Sequence, residues 1–190
     1  MTKEQLEKER ETIVLQLQLA IESYYENPDR QSFNKMCETF TLALVYNVAI
    51  IVPTDIKNGQ TMFRLRNMNS YVPNNRGSDR YCYFAYNTYE EALKTPSQFC
   101  TIMGIRPFFN RVASHSGIMG LLINPERTTK NDNILFLNKE NIQIIVADCD
   151  ETIKSQSFQI RQILNGFEVE EKLVSIEEMQ EVFDNSEEQT

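Results

Sequence analysis

The sequence predicts an α+β fold, because two stretches with the three-to-four-residue spacing of amphipathic helices precede several short apolar runs, two of them joined by a tight-turn dipeptide. The first helical stretch is long and sits at the N terminus. At 190 residues and 41% hydrophobic, the chain is large enough to bury one ordinary core.

Residues 2–5, Thr-Lys-Glu-Gln, read as a capping box, in which the hydroxyl accepts from the third helical amide and the Gln side chain reaches back. A helix over 3–26 follows, with Leu6, Ile13, Leu17, Ala20, Ile21 and Tyr24 on its apolar face. Asn27, Pro28 and Asp29 stop it, since proline removes a donor and restricts its predecessor. A second helix over 30–45 offers Phe33, Met36, Cys37, Phe40 and Leu44 to the core, antiparallel to the first. Residues 48–53, VAIIVP, are apolar on both parities, as an interior strand requires. Asn58 and Gly59 supply the positive backbone angles of a hairpin turn into an alternating strand over 61–68. Residues 69–80 are loop material, and 81–86 form a third strand able to pair with the second.

Thr88 and Glu91 read as another capping box, so a short helix carries Ala92 and Leu93, ends before Pro96, and leaves Glu90 and Glu91 in solvent. Residues 106–116 predict a helix burying Phe108, Phe109 and Val112, leading to a strand over 118–123. Asn124 and Pro125 end that strand: Asn bonds its own backbone and Pro fixes the next angle. The glycine-free polar run over 124–138 is expected to be an exposed crossing to a helix capped by Asn138 and containing Ile142, Ile145 and Val146. Residues 157–164 fit either a strand or a helix, and 174–183 read as helical with Leu173, Ile176, Met179 and Phe183 as a stripe. The organisation is therefore an N-terminal helix over 1–29, an α+β domain over 30–149, and an acidic extension over 150–190 packed on the domain or trailing from it.

Cys37, Cys82, Cys100 and Cys149 are 45, 18 and 49 positions apart, so no CxxC pair preorganises a zinc or redox site, and free thiols in a reducing cytoplasm are expected. The apolar run over 13–21 is interrupted by Gln16 and Gln18, which excludes a membrane span there. His115, the single histidine, has serine neighbours on both sides but no nucleophile elbow, and residues of one segment do not aim at each other as triad partners do. No phosphate cradle, metal-ligand set, cofactor motif or catalytic residue emerges.

Charge is unevenly distributed: about −4 over residues 1–56, +6 over 57–130 and −10 over 131–190, counting Lys and Arg against Asp and Glu. The basic middle holds Arg64, Arg66, Arg76, Arg80, Arg106 and Arg111, with Tyr71, Tyr81 and Tyr83 among them. Arg64 and Arg66 share strand parity, which predicts one basic and aromatic face built from Arg64, Arg66, Arg76, Arg80, Tyr81 and Tyr83. Such a face grips an acidic protein partner, is neutralised by the acidic C-terminal segment, or holds single-stranded nucleic acid. The overall pI near 4.8 argues against a dedicated nucleic-acid binder.

The order of these segments resembles the N-terminal domain of SseB-like proteins, the enhanced serine sensitivity family. The resemblance covers about residues 30–148 and rests on VAIIVP, YCYFAYNTYEEAL, GIMGLLINP and ILFLNKENIQIIV. It implies an α+β domain with helices packed against a mixed, mostly antiparallel sheet, in a bacterial cytoplasmic protein whose biochemical role is not established. It brings no catalytic residue. Asn124 and Pro125 match the strand-ending motif, as a turn or as a binding element. The long N-terminal helix and the acidic tail depart from the simpler pattern.

Three functions follow as expectations. The first is a non-enzymatic binding or regulatory module that recognises a protein partner. The second is an enzyme of unrecognised type with a pocket between helices and sheet. The third is a structural protein that forms homo-oligomers through its N-terminal helix.

Overall fold

The computed structural model describes residues 2–68 and 80–187. Two helices, α1 (Lys3–Glu26) and α2 (Arg30–Val45), open the chain, each with the reciprocal N-terminal bonds of a capping box. Thr2 and Gln5 form the first, and Asp29 and Ser32 form the second. Tyr25, rather than Tyr24, completes the buried stripe of α1; its hydroxyl donates to the Ile123 carbonyl at 2.9 Å.

The strands follow in two groups. β1 (Ala49–Lys57), β2 (Gln60–Phe63), β5 (Phe99–Gly104) and β8 (Lys172–Ser175) make an antiparallel sheet in the order β2-β1-β5-β8. β3 (Leu65–Asn67), β4 (Tyr81–Ala85), β6 (Ile118–Ile123) and β7 (Leu135–Asn138) make a second in the order β3-β4-β6-β7, with β4 and β6 parallel. Ile51 and Tyr86 exchange backbone bonds of 3.0 and 2.8 Å and join the two sheets at one bridge. The expected α+β class, with its long N-terminal helix and mostly antiparallel pairing, is what the structure shows; the single sheet becomes two.

Asn58 and Gly59 adopt φ of 52° and 73°, as the hairpin turn demands. The strand expected over 61–68 is broken at Arg64, because the chain leaves β1 there and pairs with β4 from Leu65 onward. β5 and β7 were not expected from the sequence. β5 runs without a turn into α4 (Ile105–Ser114), and β7 ends on Asn138, the residue whose side chain caps α5 (Lys139–Ser155). The remaining helices are α3 (Tyr89–Ala92), α6 (Phe158–Asn165) and α7 (Ile176–Glu187). Residues 157–164 thus resolve as a helix, and the segment after 150 adds β8 to the first sheet and buries Leu164, Phe167, Val174 and Met179.

Alternation along the central strands places a core on each sheet face. Tyr83, Ala85, Leu121 and Ile123 join the side chains of α1, α2, α4 and α5. Cys82, Phe84, Tyr86 and Leu122 face the smaller cluster, which Ala92 of α3 and Met179 of α7 help to cover. Where α2, α4 and α6 meet, Arg106 donates to the Leu44, Val45 and Leu164 carbonyls and so satisfies the ends of two helices.

Burial pushes the four thiols up, Cys37 and Cys149 to about 11, Cys82 and Cys100 to about 12, from an ordinary value of 9.0. The folded state therefore holds these protons longer than the unfolded chain does. Their contribution to stability is complete below about pH 9 and is lost as pH rises through about 11 to 12. Urea unfolding should show a midpoint that falls steadily above pH 9, and a flat profile to pH 12 would contradict the burial of these groups.

Candidate binding surfaces

The arginine region expected from the sequence is largely committed within the chain. Arg64 Nη1 donates to Ser97 Oγ at 2.9 Å, and its Nε lies 3.4 Å from Asp55 Oδ1. Arg66 Nη1 lies 3.3 Å from Glu126 Oε1, while the Tyr86 hydroxyl donates to the other Glu126 oxygen at 2.6 Å. Neither acid comes from the C-terminal segment. Arg111 stacks over Phe63 at 4.7 Å, and Arg106 serves the helix ends described above. Arg80 is half-buried, its carbonyl accepting from Met68 N at 2.7 Å. Arg76 and Tyr71 lie outside the described residues.

The tyrosines do not stand out from this face either. Tyr83 is buried, its ring edge-on to Phe63 and Phe108, and its hydroxyl is 2.9 Å from His115 Nδ1. Tyr81 is half-buried against the same cluster. Arg64 lies between β2 and β3 and Arg66 within β3, so the single regular strand from which both were expected to project is interrupted at Arg64. What survives is a shallow groove of about 420 Å³ beside Arg64, lined by Asp55, Lys57, Gln98 and Phe99 among others.

Asn124 sits in the left-handed region with φ of 47° and is buried. Its amide donates to Asn87 Oδ1 at 2.6 Å and accepts from Asn87 N at 3.3 Å, so its side chain ties the strand end to the second residue past β4. Pro125 follows it into the interior. The run after them is the exposed crossing expected as far as Asn133, with Thr128 and residues 130–133 in solvent, before Leu135–Asn138 form β7; Thr129 anchors it, buried and accepting from Asn131 N and Asn133 N, and Lys130 N donates to Tyr25 O. Glu91, expected in solvent, is 7% exposed, its carboxylate facing Lys94 and Arg127. Lys94 Nζ and Arg127 Nη1 approach its Oε1 at 2.9 and 3.8 Å, and Arg127 also grips Glu22 with two 2.6 Å bonds.

A different surface is open. α1, α2 and α5 send their apolar stripes inward, yet Leu19, Leu42 and Ile144 lie off those stripes at 67%, 38% and 52% exposure. A groove of about 520 Å³ runs between α2 and α5, with Phe33, Cys37, Leu42, Ile144 and Ile145 as its apolar lining. Glu38, Asp148, Asn34 and Asn141 form its polar rim. A second groove of about 400 Å³ between α1 and α2 is lined by Leu19 and shares Glu38 and Leu42 with the first. Leu42 is therefore the ridge joining two depressions into one apolar tract, which Leu15, one turn before Leu19, extends along α1.

The sequence reading missed this tract because it sought the core-facing stripe. The signal was present in Ile144, Ile145 and Val146, three consecutive apolar residues that span more of a helix than one buried face needs. Among the described residues, no three His, Cys, Asp or Glu side chains converge as metal ligands, and no helix is long and apolar enough to cross a membrane. None of the protein-family models, curated proteins or solved structures compared with the chain matches it.

Proposed function

We propose that this chain is a non-enzymatic module that recognises a protein partner, and that the outer face of α1, α2 and α5 is the surface it uses. One observation carries the reading: Leu19, Leu42 and Ile144 are exposed and joined through shared grooves. Single exposed apolar residues are ordinary; three that share grooves and are rimmed by polar groups are what supports this reading. The acidic partner expected from the arginines has a weaker claim, because Asp55 and Glu126 already stand where its carboxylates would. The SseB-like resemblance of residues 30–148 belongs to the same proposal and adds no mechanism to it.

The test is capture from a lysate of the source cells on immobilised wild type and on Leu42→Gln/Ile144→Gln, followed by mass spectrometry and titration of the purified partner. Gln keeps helix propensity and adds no charge, so only the apolar contribution is removed. Each side chain covered is worth roughly 1–2 kcal/mol, so the double variant should bind about thirty- to several-hundredfold more weakly with an unchanged circular dichroism spectrum. A partner lost on Arg64→Glu/Arg66→Glu but retained by the Gln variant would move the site to the arginine face. Self-association through α1 is the second reading, favoured by Leu15 and Leu19 at 61% and 67% exposure. Light scattering that finds a monomer at two concentrations removes it.

A further inference from the structure

We infer that the groove between α2 and α5 takes a basic amphipathic helix of the partner, an inference that rests on the protein-recognition reading above. The form of the occupant follows from the walls. Both are α-helices whose backbone groups are paired internally, so an extended segment would find no ladder of donors and acceptors there. A helix satisfies its own backbone and needs only apolar side chains at three- and four-residue spacing to fill the space over Phe33, Cys37 and Ile145.

Its charge follows from the rim. Glu38 and Asp148 are both exposed at the groove, and among the described residues no Lys or Arg lines it; Arg30 and Lys35 line an adjoining depression that shares Asn34 and Glu38 with it but not Asp148, and Lys35 also lines the groove between α1 and α2. The chain as a whole carries −8, so long-range attraction also favours a cationic segment. A second copy of this chain is disfavoured by the same charges. A two-fold pairing of this face would gather Glu38 and Asp148 of both copies into one interface, and both partners would bring −8. The basic residues of the occupant belong at the edges of its apolar stripe, where their alkyl stems lie along the groove and their heads reach the two carboxylates.

The experiment is selection of a phage-displayed library of peptides of roughly 15 residues, long enough for a helix to form, on the wild-type protein with counter-selection on Leu42→Gln/Ile144→Gln. The enriched peptides should carry helical apolar spacing and a net positive charge. The strongest of them, measured by fluorescence anisotropy, should bind Glu38→Gln/Asp148→Asn about five- to tenfold more weakly. That difference should vanish at about 1 M salt, where the screening length is about 3 Å. Neutral or acidic peptides, a charge-independent affinity, or no peptide that discriminates between the two proteins would overturn the inference. A captured partner that is lost on Leu42→Gln/Ile144→Gln but bound equally by Glu38→Gln/Asp148→Asn would also overturn it, while leaving the protein-recognition reading intact.

Discussion

Asn47→Ala should lower the free energy of unfolding by about 2–4 kcal/mol, although the residue stands in a connection and not in a helix or strand. Asn47 follows α2 with φ of 44°, a conformation that Asn tolerates and Ala resists. Its side chain donates to the Phe167 carbonyl at 2.7 Å and accepts from Arg106 N at 3.1 Å, while its own carbonyl accepts from Arg10 Nη2 at 2.7 Å. One buried side chain thus joins α2, the start of α4 and the turn after α6. Alanine would leave the Phe167 carbonyl and the Arg106 amide without their partners and add backbone strain. Asn47→Gly keeps the conformation and loses only the bonds, so the two variants divide the effect between backbone and hydrogen bonding. Urea unfolding measures both; an alanine cost below about 1 kcal/mol would contradict the role assigned to this residue.

Gly120→Ala should be at least as damaging, about 3 kcal/mol or more. A Cβ at this position, where φ is 159°, would fall inside contact distance of the Leu137 carbonyl oxygen and 3.0 Å from Asn138 Cα. Those atoms belong to a paired strand, not to a flexible side chain, so relief requires β6 and β7 to separate where Gly120 faces Asn138 and Leu121 faces Leu137. The damage reaches the proposed surface, because Asn138 caps α5, the helix that carries Ile144 and Asp148. Thermal unfolding should show a large loss of midpoint, and a variant of wild-type stability would contradict the close approach of the two strands.

These positions also mark how far the sequence could be read. The helices were legible because caps and spacing are local: Thr2, Thr88 and Asn138 each announce a start, and the stripes of α1, α2 and α5 face the core as their periods require, whereas the cap at Asp29 was read only as a stop. Strands without a turn signal were not legible. β5 passes directly into α4 through Gly104, and β7 is four residues long and ends on a helix cap. The break at Arg64 depends on which sheet each half joins, a long-range choice that alternation cannot encode. The arginine cluster was visible as charge, but Asp55 and Glu126, its counterparts, were separated from it in sequence and meet it only in the fold. For the same reason the groove was invisible: Leu42 and Ile144 are about a hundred positions apart and become one surface only when α2 and α5 pack.

Cys37 offers the most direct measurement of the central claim, that a partner covers the groove between α2 and α5. It lines that groove and is half-buried, whereas Cys82, Cys100 and Cys149 are buried, so it is the thiol an alkylating reagent reaches first. Its rate of alkylation should be followed near pH 9, below its value of about 11, with and without saturating captured partner. The expected result is at least about a tenfold slowing, since the reagent must wait for the partner to dissociate. An unchanged rate in the saturated complex would place the partner elsewhere and contradict the account.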